Sequence, residues 1–258
     1  MNYKIITRFE QLTLGIKIRV SKRTKIRVKV VQKDRPLTVF TDRYKTVNSE
    51  SEFYVRMPLT PQEVVVSVYD DDLDVNAKNN NIEVLNIQKY GLKKRMDEVD
   101  FKNRLVMHFV DFSQRFSFNA SYLKADTYES DFDGFKIEYL EKIVDNFGKV
   151  IKTPARISKT TGRIQISKDM FKAYTVPMRM AILLHEFSHF YLNENIDDET
   201  EADLNGLLIY LALGYPRIEG YEAFLEVFID SPSDQNKERY DIINKFIKDF
   251  ETNKFVMK

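Results

Sequence analysis

Five consecutive residues carry the densest chemistry in this chain: His185-Glu186-Phe187-Ser188-His189. On a helix the i, i+4 spacing puts both imidazoles on one face, one turn apart. Two nitrogens so placed can bind one tetrahedral zinc ion. Glu186 directly follows the first histidine and can take a proton from a water in the metal's open position. Such a set performs metal-assisted hydrolysis. The chain has only one other histidine, His108, far upstream. The remaining protein ligand is therefore expected to be a carboxylate. Glu194, Asp197, Asp198, Glu199, Glu201 and Asp203 all follow closely. The plainer alternative is a pair of hydrogen-bonded histidines on a packed helix. The acids would then be an ordinary first helical turn, where carboxylates favour the dipole.

These residues need helices to hold them. Ala181-Ile182-Leu183-Leu184 precedes the motif as a buried run, Pro177 suits a first helical turn, and no Gly or Pro interrupts residues 178–193. From Pro177 the chain reads as helical to its end, with breaks at Gly214-Tyr215-Pro216 and Ser231-Pro232-Ser233. Upstream, apolar residues at Val99, Leu105, Val106, Phe109, Val110, Phe112 and Phe116 give Lys93–Phe118 a helical period. Asp126–Gly134 is acidic and reads as a loop. Phe135–Leu140 alternates as a strand. Pro154–Ile157 and Arg163–Ser167 read as two strands about a Lys159-Thr160-Thr161-Gly162 turn.

Residues 1–92 follow a different grammar. Ile16–Val20 and Lys25–Val30 alternate strictly, which marks strands with one buried face, and Ser21–Thr24 between them predicts a hairpin. Leu37–Phe40, Glu52–Met57, Glu63–Tyr69 and Ile82–Ile87 are further strands, separated by turns at Asp34–Pro36, Asn48–Glu50, Asp70–Asp74 and Asn79–Asn81. Short strands at this spacing predict a small β-sandwich or barrel. The expected fold is thus α+β, with a β-domain over 1–92 and an α+β domain with a helical C-terminus over 93–258. The Asp70–Asp74 run lacks the spaced ligands and glycine of a calcium loop.

In the segment Glu199-Thr200-Glu201-Ala202-Asp203, the pattern resembles the ExxAD signature of the gluzincin branch of HExxH zinc metallopeptidases (zincins). The resemblance implies a zincin-like domain in which His185, His189 and Glu199 hold zinc. It also implies that Asp203 steadies a zinc-bound histidine and Glu186 is the general base. Glu199 and Asp203 share a helix face while Glu201 points elsewhere, and Glu201 and Asp198 stay as alternative ligands. Zincins place an edge strand beside the active-site helix, a part expected here of Gly162–Ser167. The match covers about residues 135–215 and has departures. Leu192 and Asn195 replace the glycine and histidine of metzincins. The gap from His189 to Glu199 is short, no later histidine follows, and no Asn-Ala-x-Tyr strand is present. Tyr191, Tyr210, Tyr215 and Arg217 are the candidate oxyanion partners.

Composition bounds the rest. Cysteine is absent, which excludes disulfide scaffolds, thiolate-held metals and thiol catalysis. Forty Lys+Arg against 39 Asp+Glu leave a net charge of +1, so general attraction to nucleic acid or anionic membrane is not expected. The basic charge gathers near the N-terminus: Lys17, Arg19, Lys22, Arg23, Lys25, Arg27 and Lys29. Such a face is either solvated or a docking surface for an acidic protein partner or a phosphate backbone. Residues 1–8 lack the apolar core of a secretory signal, so the expected location is the cytoplasm, or a virion or other large assembly. The sequence reads first as a zinc-dependent endopeptidase acting on a peptide or protein substrate. Its Lys/Asn/Ile-rich composition also loosely resembles zincin-like peptidases encoded among tailed-phage virion genes. That resemblance implies the alternative of a structural or adaptor component with a retained metal site.

Overall fold

The computed structural model describes residues 1–72, 81–95, 103–230 and 233–252. Outside them lie Leu73 and Asp74 of the acidic run, Asn79 and Asn80 of the next turn, Val99 of the expected helix, and Ser231 and Pro232. The chain divides into two compact units, Met1–Lys93 with Gly214–Pro216, and Lys94–Leu213 with Arg217–Lys258. It is mixed α+β, with antiparallel sheets in the N-terminal part and helices toward the C-terminus.

The first unit holds seven strands: β1 (Asn2–Ile6), β2 (Leu12–Val20), β3 (Thr24–Gln32), β4 (Val39–Val47), β5 (Glu50–Met57), β6 (Glu63–Asp70) and β7 (Ile82–Gly91). They form two antiparallel sheets, ordered β1-β6-β3-β4 and β5-β2-β7. Alternation sorts the side chains. Leu14, Ile16 and Ile18 of β2, Ile26 and Val30 of β3, and Val64, Val66 and Val68 of β6 are fully buried, while Lys17 and Arg19 face water. The expected hairpin between β2 and β3 does not form: β2 pairs with β5 and β7, and β3 with β4 and β6. Residues 21–23 instead carry the chain from one sheet to the other. A period-2 pattern marks the buried face of a strand but not its neighbour, and this connection lacks the Asn-Gly or Asp-Gly signal of a tight hairpin. β4 outruns the expected Leu37–Phe40 because its exposed Tyr44 and Lys45 break the alternation.

Five of the seven basic residues form ion pairs within the unit. Glu50 pairs with Lys17 (3.2 Å) and Arg19 (2.7 Å), Asp71 with Lys25 (2.6 Å), and Asp42 with Arg27 (2.6 Å) and Lys29 (3.3 Å). Exposed pairs of this kind add little stability, and three carboxylates against five cations, with Lys22 and Arg23 also exposed, leave the face net basic.

The second unit combines a four-stranded sheet with helices. β8 (Asp126–Glu129), β9 (Lys136–Leu140), β10 (Ala155–Ile157) and β11 (Ile164–Ser167) take the order β10-β11-β9-β8. β11 runs parallel to β9, and the other pairings are antiparallel. Two expectations change. The acidic 126–134 stretch is not all loop, because β8 pairs along β9, and a polar edge strand needs no apolar alternation. Gly162–Ser167 is not the edge strand. β11 lies inside the sheet, where Ile164 and Ile166 are buried on the core side, and β10 is the edge.

The helices are α1 (Arg104–Asn119), the short α2 (Lys168–Phe171), α3 (Val176–Tyr191), α4 (Glu199–Ala212), α5 (Arg217–Asp230) and α6 (Asp234–Glu251). Thr175 caps α3 by accepting from Met178 N, and Pro177 sits in its first turn. α3 is buried nearly all round, as a helix hydrophobic on every side must be. Phe187 stacks on Phe109 of α1, with centroids 4.2 Å apart. Arg179, wholly buried, donates to the carbonyls of Ser117 (2.8 Å), Phe171 (2.9 Å) and Lys172 (2.9 Å). These bonds tie the first turns of α3 to α1 and α2, and burial pulls the guanidinium pKa down to about 10.

Candidate metal centre

α3 presents His185 and His189 one turn apart, with ring planes perpendicular and Nε2 atoms 3.2 Å from each other. α4 brings Glu199 to the same point. Its Oε2 lies 3.6 Å from His185 Nε2 and its Oε1 3.5 Å from His189 Nε2. Ligands about 2.0–2.1 Å from a tetrahedral zinc stand about 3.3 Å from one another. The two imidazole nitrogens stand at that spacing, each has a Glu199 oxygen within 3.6 Å, and two imidazoles with one carboxylate are a donor set that suits zinc. Among the described residues, His185, His189 and Glu199 form a group able to hold a metal ion.

The far side of each ring is also held. His189 Nδ1 lies 2.9 Å from the carbonyl of Ile196, in the loop joining α3 to α4. His185 Nδ1 lies 2.9 Å from Asp203 Oδ1, a contact of charge and distance without ideal hydrogen-bond alignment. Partners of this type set the tautomer that leaves Nε2 free to bind metal. The competing acids have other tasks. Asp198 caps α4 by accepting from Glu201 N (2.9 Å). Glu201 accepts from the backbone of Glu194 (3.0 Å) and Asn195 (3.4 Å), which staples the loop. Asp197 pairs with Lys159.

Sequence reasoning missed three contributors. Arg239 of α6 donates from Nε and Nη2 to Asp203 (2.7 and 3.0 Å) and lies 3.2 Å from Glu199 Oε2. One arginine in a polar helix gives no sequence signal. Gly206 of α4 lies against α3. A Cβ there would sit 2.9 Å from His185 N and 3.0 Å from Leu184 C, so only glycine lets the two backbones come this close. Glycine inside a helix costs about 1 kcal/mol against alanine, and its presence there was a readable sign of close packing. Ile157 of β10 lines the same cleft as Glu186, and its backbone acts to lower the carboxyl pKa against the effect of burial.

Glu186 is buried beside the metal ligands, and both it and they line a cleft of about 260 Å³. Thr153 to Ile157 form one wall, with Ile182, Ala223 and Phe224 as apolar lining. Burial pushes the Glu186 carboxyl above its ordinary range, against the pull of both histidines. Burial alone would lower His185, but Asp203, then Glu186 and Glu199, outweigh it and raise the imidazole. Glu199 is held down to about 2, first by its hydrogen bond with His189 and further by the charges of His185 and Arg239, against burial. Tyr191, Tyr210, Tyr215 and Arg217 do not line this cleft, and Tyr210 and Tyr215 are buried in packing. His108 is elsewhere, against Asp133. No family model, curated protein or solved structure matches the chain.

Proposed function

We propose that this chain is a zinc-dependent endopeptidase. The observation that carries the reading is the convergence of His185 Nε2, His189 Nε2 and the Glu199 carboxylate, each nitrogen within 3.6 Å of a Glu199 oxygen, beside Glu186 in an open cleft. When bound by these three residues, zinc supplies a Lewis acid that polarises a carbonyl and lowers the pKa of a bound water toward about 7. Asp203 and the Ile196 carbonyl hold the two imidazoles with Nε2 toward the ion. Glu186, its basicity raised by burial, accepts a proton from the attacking water and returns it to the leaving amine.

Among the described residues β10 pairs on one side only, with β11, and its residues form a wall of the cleft. A free strand edge there can pair with an extended peptide backbone, which favours a protein substrate over other hydrolysable esters or amides. It also favours an enzyme over an adaptor with a closed metal site. Metal analysis and peptidase assays on the Glu186→Gln chain test the proposal. Zinc near one equivalent with no cleavage of a quenched-peptide library supports it, and full activity in that variant overturns it.

A further inference from the structure

Immediately before the cleft wall the chain makes a hairpin over residues 143–151. Ile151 N donates to Ile143 O and Asp145 N to Lys149 O, both at 2.9 Å, and Val144 bridges Val150 in antiparallel fashion. Asp145 Oδ1 accepts from Phe147 N and Lys149 N at 2.9 Å each, and Gly148 supplies the left-handed φ of 80° that closes the turn. The turn is therefore fixed by its own chemistry.

This fixed turn holds Phe147 96% exposed, with Val144 41% and Val150 50% exposed beside it. Single exposed apolar residues are ordinary, but a rigid hairpin presenting three together is a contact patch. Lys142, Lys149 and Lys152 are exposed around it. The one carboxylate in the stretch, Asp145, is spent on the turn. The hairpin thus offers an apolar tip in a cationic frame. It is also fastened to the cleft: Arg156 of β10 donates from Nη2 to Val144 O at 3.0 Å, and the chain continues from Lys152 into Thr153 and Pro154 of the cleft wall.

We propose that the hairpin is a docking exosite for an extended protein segment in which an apolar residue is flanked by acidic ones, a proposal that rests on the peptidase reading. Charge complementarity selects the acidic flanks, and the exposed Phe147 selects the apolar residue. Continuity with β10 selects a substrate chain. A peptide paired along that strand leaves it beside Thr153, two residues from Ile151 at the hairpin base.

The test compares the zinc-loaded full chain with Phe147→Ser and with Lys149→Glu/Lys152→Glu. Two probes are used: reduced, carboxymethylated α-lactalbumin, an acidic unfolded chain, and a quenched octapeptide library too short to span cleft and hairpin. Each variant is expected to lose about tenfold in kcat/KM on the long probe, the scale of one lost apolar anchor, and to stay within about twofold on the short one. Equal losses on both probes, or none on either, overturn the proposal. Binding of labelled α-lactalbumin to the Glu186→Gln chain, read by anisotropy, is the second arm. If wild type cleaves neither probe, the peptidase reading fails. Phe147-dependent binding then still supports the exosite, and Phe147-independent binding or none overturns it. Sedimentation with phosphatidylcholine/phosphatidylserine vesicles is the third arm. Phe147-dependent capture by vesicles, without Phe147-dependent binding of α-lactalbumin, overturns the proposal in favour of an anionic lipid surface.

Discussion

Arg239 grips Asp203 with two hydrogen bonds, Nε to Oδ2 at 2.7 Å and Nη2 to Oδ1 at 3.0 Å, and Asp203 in turn faces His185 Nδ1. Asp203 is fully buried, so its charge depends on that arginine. Removing one partner of a buried pair costs about 3–5 kcal/mol, because the other charge stays unpaired. Arg239→Met should therefore lower unfolding stability by about that much and weaken zinc binding by about 10–100-fold, the usual cost of a lost outer partner. Arg239→Met/Asp203→Asn should recover much of the stability but not the zinc affinity. Denaturant unfolding and chelator competition on the four chains of the cycle check both parts. A double variant no more stable than Arg239→Met would refute the pairing argument.

Glu199 and Glu201 are two residues apart and do different work. Glu199→Ala should cut zinc affinity by several orders of magnitude, since it removes a ligand. Glu201→Ala should leave zinc binding within about tenfold and instead loosen residues 193–198, whose backbone it holds, at a cost of about 1–2 kcal/mol. Metal titration and amide exchange across that loop separate the two. Zinc loss on Glu201→Ala with none on Glu199→Ala would reverse the ligand assignment.

The legible part of the site was the part written in local spacing. His185, Glu186 and His189 lie within five residues on one helix, so their geometry follows from 3.6 residues per turn. Asp203 follows Glu199 by four on α4 for the same reason. What spacing could not carry was long-range: Arg239 arrives from α6, Ile157 enters the cleft wall from β10, and neither belongs to a local pattern. The same division runs through the fold. Alternation in β2 and β3 identified the buried residues correctly, yet gave the wrong partners, because every alternating strand offers the same face to any neighbour. The acidic β8 was hidden because its pairing depends on β9 and not on its own side chains.

Gly206 sets the separation of α3 and α4. Gly206→Ala gains about 1 kcal/mol of helix propensity but inserts a methyl 2.9 Å from His185 N and 3.0 Å from Leu184 C, both backbone atoms that cannot swing away. Overpacking costs about 1–3 kcal/mol, so the net change should be destabilisation. Because α4 carries both Glu199 and Asp203, the displaced helix should also weaken zinc by about tenfold or more. Asn205→Ala, one residue away and only part-buried, is the control, expected to keep zinc affinity. Thermal unfolding with and without zinc reads both effects. A Gly206→Ala chain as stable as wild type and equal to it in zinc affinity would show that the helices have room to separate.

On the proposed reading, zinc and protons compete for His185. Its folded pKa is raised above 6.5, with Asp203 the main cause opposing burial. The protonated ring therefore stabilises the metal-free chain fully below 6.5, and that stabilisation is lost as pH rises through the folded value. Metal binding needs the opposite state, because only a deprotonated Nε2 can coordinate. Zinc affinity should thus be flat at alkaline pH and begin to fall at a pH above 6.5, by about tenfold per pH unit for each proton displaced. Asp203→Asn removes the charge that raises the ring and should move the onset to lower pH, while also weakening affinity overall. Chelator competition between about pH 5.5 and 8.5 follows both chains. An onset below 6.5 in wild type, or one unmoved by Asp203→Asn, would show that the contact between Asp203 and His185 does not govern the protonation of the site.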